Sequence, residues 1–84
     1  MSVEEIFEEL NEELEGLPAV IGMSKLFLKL WDLLNQNYDE LTATRKINAI
    51  AEDVAGLPLP IAVARLINYY VSLRLGYDPI SKMD

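Results

Sequence analysis

Cysteine and histidine are both absent from this chain. Their absence removes disulfides, thiolate and imidazole metal ligands, and every Cys/His or Ser/His nucleophilic scheme. Long hydrophobic runs are missing as well. The longest stretch without a charged residue is Val54 to Ala64, eleven residues that include two prolines. A membrane-spanning helix needs about 20 apolar residues, so no membrane association is expected. There is no glycine-rich phosphate loop, no calcium-loop repeat of aspartates and, without histidine, no Glu-x-x-His motif of a di-iron bundle. The start, Met-Ser-Val-Glu-Glu, lacks the basic segment that opens a signal peptide. Together with the missing cysteine, this leads us to expect a cytoplasmic protein. No cofactor and no metal are expected.

What remains is one domain of 84 residues, 51% hydrophobic and 25% charged, an ordinary globular balance. A chain of this size buries only about 60–65% of its unfolded surface. It must fold on good helix packing or gain stability from a partner. The net charge of −7 is unevenly placed. Residues 1–15 hold seven glutamates and no base, while residues 16–84 hold seven acids and seven bases. A neutral body therefore carries an acidic N-terminal segment.

Apolar positions repeat at helical spacing in four segments. Val3, Ile6, Phe7, Leu10 and Leu14 share one face of a first helix, which Ser2 and Glu5 mark with a capping-box pattern. Gly16-Leu17-Pro18 ends it, with glycine in a left-handed position and proline opening the next helix. The second helix is apolar almost all round, which makes it central, with Phe27, Leu30, Trp31 and Leu34 at the middle of the core. Thr42 or Thr44 is the expected cap of a third helix whose inner face carries Ile47, Ile50, Ala51 and Val54. Residues Glu40 to Ala43 are compatible with one short extended bridge. Gly56-Leu57-Pro58 repeats the corner, and Gly76 ends a fourth helix. The expected class is all-α: a compact four-helix domain of two helix-Gly-Leu-Pro-helix units, with helices near 3–15, 19–36, 43–55 and 59–75. In outline, 1–15 is an acidic amphipathic helix, 16–76 a helical core and 77–84 a tail.

Shifting the chain by 40 aligns Glu12–Leu34 with Glu52–Arg74 at seven identities in 23 positions. One reading is a duplicated helical hairpin. The other is that any two units of this pattern look alike.

Residues 26–76 resemble a helix-turn-helix or winged-helix domain without its wing. The residues that carry the resemblance are the leucine-rich helix Leu26–Leu34, the turn ending Leu41-Thr42, the Ile-Ala-Glu-x-Val stretch of Ile50 to Val54, Gly56-Leu57-Pro58, and Val63-Ala64-Arg65-Leu66. In such a core the small Ala51 lets two helices cross closely, and Val63 and Leu66 lock the second onto the first. The chain departs from the pattern at Ala55, one residue more than the tightest turn allows, and at the apolar start Leu59-Pro60-Ile61-Ala62 of the presumed recognition helix.

The resemblance leads to two functional readings. In the first, the core serves as a non-catalytic protein–protein interaction module or accessory subunit, of the kind found in DNA-processing machinery, binding another protein or itself. Its candidate interface residues are Leu59, Pro60 and Ile61 at the second corner, Tyr70, and Glu8 and Glu12 on the acidic helix. Tyr69 and Tyr70 point about 100° apart on a helix, so one belongs to the core and the other is partly exposed. In the alternative, a dimeric regulator reads DNA with the 59–75 helix. Arg65 and Asn68 are the base-reading residue types, and Arg45 and Lys46, with Lys25, Lys29 and Arg74, are candidates for phosphate. A solvated polar stripe, which any surface helix needs, is the preferred reading of these residues. The first reading is preferred because the body has no net positive charge and the recognition helix begins apolar.

Overall fold

The computed structural model describes residues 2–80 and is helical throughout its ordered elements: α1 (Val3–Leu14), α2 (Ala19–Asn37), α3 (Glu40–Val54) and α4 (Leu59–Arg74). No strand occurs among the described residues. The molecule measures 34 × 32 × 19 Å, about two helix layers thick.

α1 and α3 each start at a side chain that satisfies one of the first free N–H groups, whereas α2 and α4 follow Pro18 and Pro58 without a side-chain cap. Ser2 Oγ accepts from the Glu5 N–H at 3.2 Å, as the capping pattern predicts, and its hydroxyl donates to the Glu5 carboxylate. At α3 the expectation needs correcting. Asp39, not Thr42 or Thr44, is the cap, its carboxylate accepting from the Thr42 N–H at 2.9 Å. A carboxylate at this position also meets the positive end of the helix. Thr44 instead turns back and donates to the Glu40 carbonyl at 2.8 Å. Residues 40–43 are therefore the first turn of α3 and not an extended bridge.

The two Gly-Leu-Pro corners have the same geometry. Glu15 (φ −57°, ψ 132°) with Gly16 (φ +76°) and Ala55 (φ −61°, ψ 131°) with Gly56 (φ +79°) each form a type II turn. The turns close through Leu17 N–H to Leu14 O at 3.1 Å and Leu57 N–H to Val54 O at 3.2 Å. Burial repeats across the same 40-residue shift: Leu10 and Ile50, Gly22 and Ala62, Leu26 and Leu66, and Leu30 and Tyr70 are all buried. Packing is exchanged between the units. α2 packs mainly on α4, α3 docks on α2, and α1 docks on α4.

Leu26, Leu30 and Leu34 of α2 are fully buried at the centre. Phe27 and Trp31, also expected there, are only half-buried and pack at the margin of the core. On α3 the inner face is Ala43, Lys46, Ile50 and Val54. Ala51 is exposed and cannot be the close-crossing residue, because the register of α3 turns that position to solvent. Tyr69 and Tyr70 are both buried, since α4 is covered by α2 on one side and α1 on another. The tail also needs revision over 77–80. Ile80 is fully buried and Asp78 is tied to α2 and α3. The rest of that segment, 81–84, lies outside the described residues.

Candidate functional site

Two kinds of surface stand out, and they differ in chemistry. The first is an apolar groove of about 590 Å³ between α2 and α3, lined by Ser24, Phe27, Leu28, Trp31, Thr44 and Ile47. None of these six side chains is charged. The groove exists because α2 is apolar around most of its circumference while α4 and α3 cover only part of it. Leu28 is left 65% exposed, and Val20 of α2 and Leu41 of α3 are exposed by 63% and 61%. Residues at i, i+3, i+4 and i+7 line one helix face, which places Ser24, Phe27, Leu28 and Trp31 side by side.

The second surface is polar and internally neutralised. Between α2 and α4 a cleft of about 390 Å³ is lined by Lys29, Asp32, Leu33, Gln36, Tyr70 and Arg74. Lys29 pairs with Glu13 and lies 5.1 Å from the Tyr70 ring centroid. Burial works against the Lys29 ammonium, but Glu13 and Tyr70 outweigh it and hold its pKa above the ordinary value. Arg74 donates to the Tyr70 hydroxyl at 2.6 Å and to Glu9 at 3.3 Å. The cations of this cleft are thus already matched by α1 carboxylates.

A third cluster explains a buried charge. Lys46, 5% exposed, donates to Asp78 at 2.9 Å and sits 4.8 Å from the Tyr38 ring centroid. Tyr38 donates its hydroxyl proton to the same Asp78 oxygen at 2.6 Å. Burial alone would raise the Asp78 pKa. The Tyr38 and Lys46 hydrogen bonds, and one from the Ile80 N–H, bring it below the ordinary carboxylate value.

The sequence-derived candidates fall as follows. Pro60 and Ile61 are exposed at the second corner, Ile61 by 50%, and Leu59 beside them is half-buried. Glu8 and Glu12 are exposed on α1. Tyr70 is buried and bound to Arg74, which corrects its expected place at an exposed interface. Arg45 and Asn68 are exposed. Arg65 donates to both Asp53 oxygens, at 2.9 and 3.1 Å. Tyr69 joins that cluster with a 2.7 Å bond to Asp53; burial and this bond push its pKa up to about 12. Lys46 is enclosed by Tyr38 and Asp78, which removes it from the surface where a phosphate contact was expected. Ion pairing thus engages four of the seven nucleic-acid candidates, Lys29, Lys46, Arg65 and Arg74. Sequence reading missed the groove, although its signal was present: a helix apolar all round needs more cover than two neighbours provide.

Among the described residues no cluster of three acidic side chains converges to hold a metal ion, and no helix is long and apolar enough to cross a membrane. Fold and surface together define a small all-α four-helix protein with an open apolar groove. No protein-family model matches the chain, and neither the curated proteins nor the solved structures give a match.

Proposed function

We propose that this chain is a small, cytoplasmic, non-catalytic interaction module, an accessory subunit that uses a helix-turn-helix-like core as a protein-binding scaffold. The observation that carries the reading is the groove between α2 and α3. It combines Trp31 and Phe27 at its base with a 65% exposed Leu28 at its lip. Half-buried aromatic residues in an apolar pocket are the anchors from which protein interfaces draw most of their binding energy. The α3–Ala55–Pro58–α4 arrangement is compatible with the helix-turn-helix-like scaffold. Cytoplasmic placement rests on the cysteine-free composition.

Catalysis has little to work with. A general acid or base works best with a pKa near neutrality, whereas Asp39, Asp53 and Asp78 are all shifted downward by hydrogen bonds. The DNA-reading alternative is weakened by the Arg65–Asp53 pair and by the enclosure of Lys46. Base readout by Arg65 first requires the loss of an existing charge-assisted bond.

The test is affinity capture from native cells with the wild-type chain and Leu28→Glu, each with and without nuclease. Partners that survive nuclease and are lost with Leu28→Glu support the module. Partners lost with nuclease and indifferent to Leu28→Glu overturn it in favour of nucleic acid.

A further inference from the structure

The groove lies beside a stripe whose charges are arranged for self-docking. Ile21, Lys25, Leu28, Asp32 and Asn35 follow one another at spacings of 4, 3, 4 and 3 along α2, the spacing of a helix–helix seam. All five are exposed, Leu28 by 65% and Ile21 by 53%. A basic residue lies three positions before Leu28 and an acidic one four positions after it.

Resting on the interaction-module reading and naming its partner, we propose that the α2 face binds a second copy of this chain. The contact is isologous, with the two α2 helices antiparallel about a twofold axis near Leu28. In such a contact residue i of one copy meets j of the other and j meets i. Antiparallel pairing about Leu28 brings Lys25 of each copy to the second copy's Asp32, so the ion pair forms twice. Among the described residues Lys25 and Asp32 have no ion-pair partner, in contrast to Lys29, Lys46, Arg65 and Arg74; the Lys25 ammonium donates only to the Glu13 main-chain carbonyl, at 3.4 Å. Leu28 of each copy then reaches the other's groove beside Ser24, the one small side chain of the α2 wall, and meets Phe27 and Trp31.

The electrostatics favour a second copy over a basic helical partner. The groove lining has no acidic residue with which to select a basic segment. The flanking charges are one of each sign, which is complementary only to the same arrangement reversed. The acidic excess of the whole molecule, −7, comes from α1 and its flank; α1 docks on α4, and at its C-terminal end Glu13 reaches α2, its carboxylate pairing with Lys29. At physiological salt its field is screened beyond about 8 Å.

Sedimentation velocity from low to high micromolar concentration tests the proposal, with helical content checked by circular dichroism. The wild type is expected to be a dimer. Leu28→Glu should weaken dimerisation about a hundredfold or more, since it places two buried carboxylates at the axis. Lys25→Asp and Asp32→Lys should each weaken it about tenfold. Mixed together, these two variants should form a heterodimer as tight as the wild-type dimer to within about threefold, because each then supplies the charge the other lacks. A wild type that stays monomeric, a dimer untouched by Leu28→Glu, or a mixture that gains nothing over its components overturns the second copy as occupant. A monomeric wild type with a nuclease-resistant, Leu28-dependent heterologous partner overturns the dimer while keeping the interaction module.

Discussion

A lysine ammonium that is 5% exposed is tolerated only beside an anion, and Asp78 supplies it. The folded-state pKa of Asp78 is depressed below the ordinary 3.8. A depressed carboxylate contributes stability that is fully present above its unfolded pKa and is lost as pH falls through the folded value. Asp78→Asn should therefore destabilise the fold by about 1.5–3 kcal/mol at neutral pH, the range for a hydrogen bond to a charged group. The gap between variant and wild type should close as pH drops below about 4, which urea unfolding across a pH series will read. Burial likewise separates two neighbours on α2. Leu30 is fully buried, so Leu30→Ala should cost about 2–5 kcal/mol. Trp31 faces the open groove, so Trp31→Ala should cost only about 1–2 kcal/mol, less than the usual 3–5 for a buried aromatic. The reverse order in unfolding experiments would mean that Trp31 is the core residue its sequence context suggests.

The glycines at the helix corners have one job and the glycine inside α2 another. Gly16 and Gly56 hold left-handed backbone with open space around a would-be Cβ, so substitution there is opposed by conformation alone. Gly56→Ala should cost about 1–2 kcal/mol. Gly22 is buried in a helix interior, and a Cβ there would meet the Leu14 side chain at an ordinary 3.8 Å. Gly22→Ala should therefore stabilise by about 0.5–1 kcal/mol, matching the alanine found at the equivalent position 62. Opposite signs for the two substitutions in chemical denaturation check both arguments. The elements themselves were mostly readable from spacing and punctuation. α3 was placed three residues late because its cap lies in a polar turn, where Asp39, Thr42 and Thr44 all have capping chemistry. Only the direction of each hydrogen bond separates them.

For the molecule as a whole, α1 is a structural member as well as an acidic surface. It buries Ile6 and Leu10 against α4 and sends Glu9 to Arg74 and Glu13 to Lys29. Removing residues 1–15 takes away seven glutamates and changes the net charge from −7 to zero. We expect truncation to destabilise by about 3–6 kcal/mol, the burial of two aliphatic side chains, and to uncover part of α4. Thermal unfolding beside a salt-dependent DNA titration checks it. An unchanged melting temperature with a new, Arg65-dependent affinity for duplex DNA would reverse the functional preference.

Helical periodicity, the Ser2 cap and the Gly-Leu-Pro corners are local signals, so the sequence by itself determined the all-α class, the four elements and the turns between them. These features depend on neighbours within about four positions, and nothing distant can alter them cheaply. Which faces meet was decided by tertiary structure. Phe27 and Leu30 are both simply apolar in sequence, and only the placement of α3 and α4 covers one more completely than the other. Lys46 reads as a surface base until Asp78, 32 residues away, is brought to 2.9 Å. Arg65 reads as a base-reading side chain until Asp53 occupies it. Charges become partners through contacts across the chain, and an exposed groove is what remains when all helices have been packed, so neither is written in any single segment.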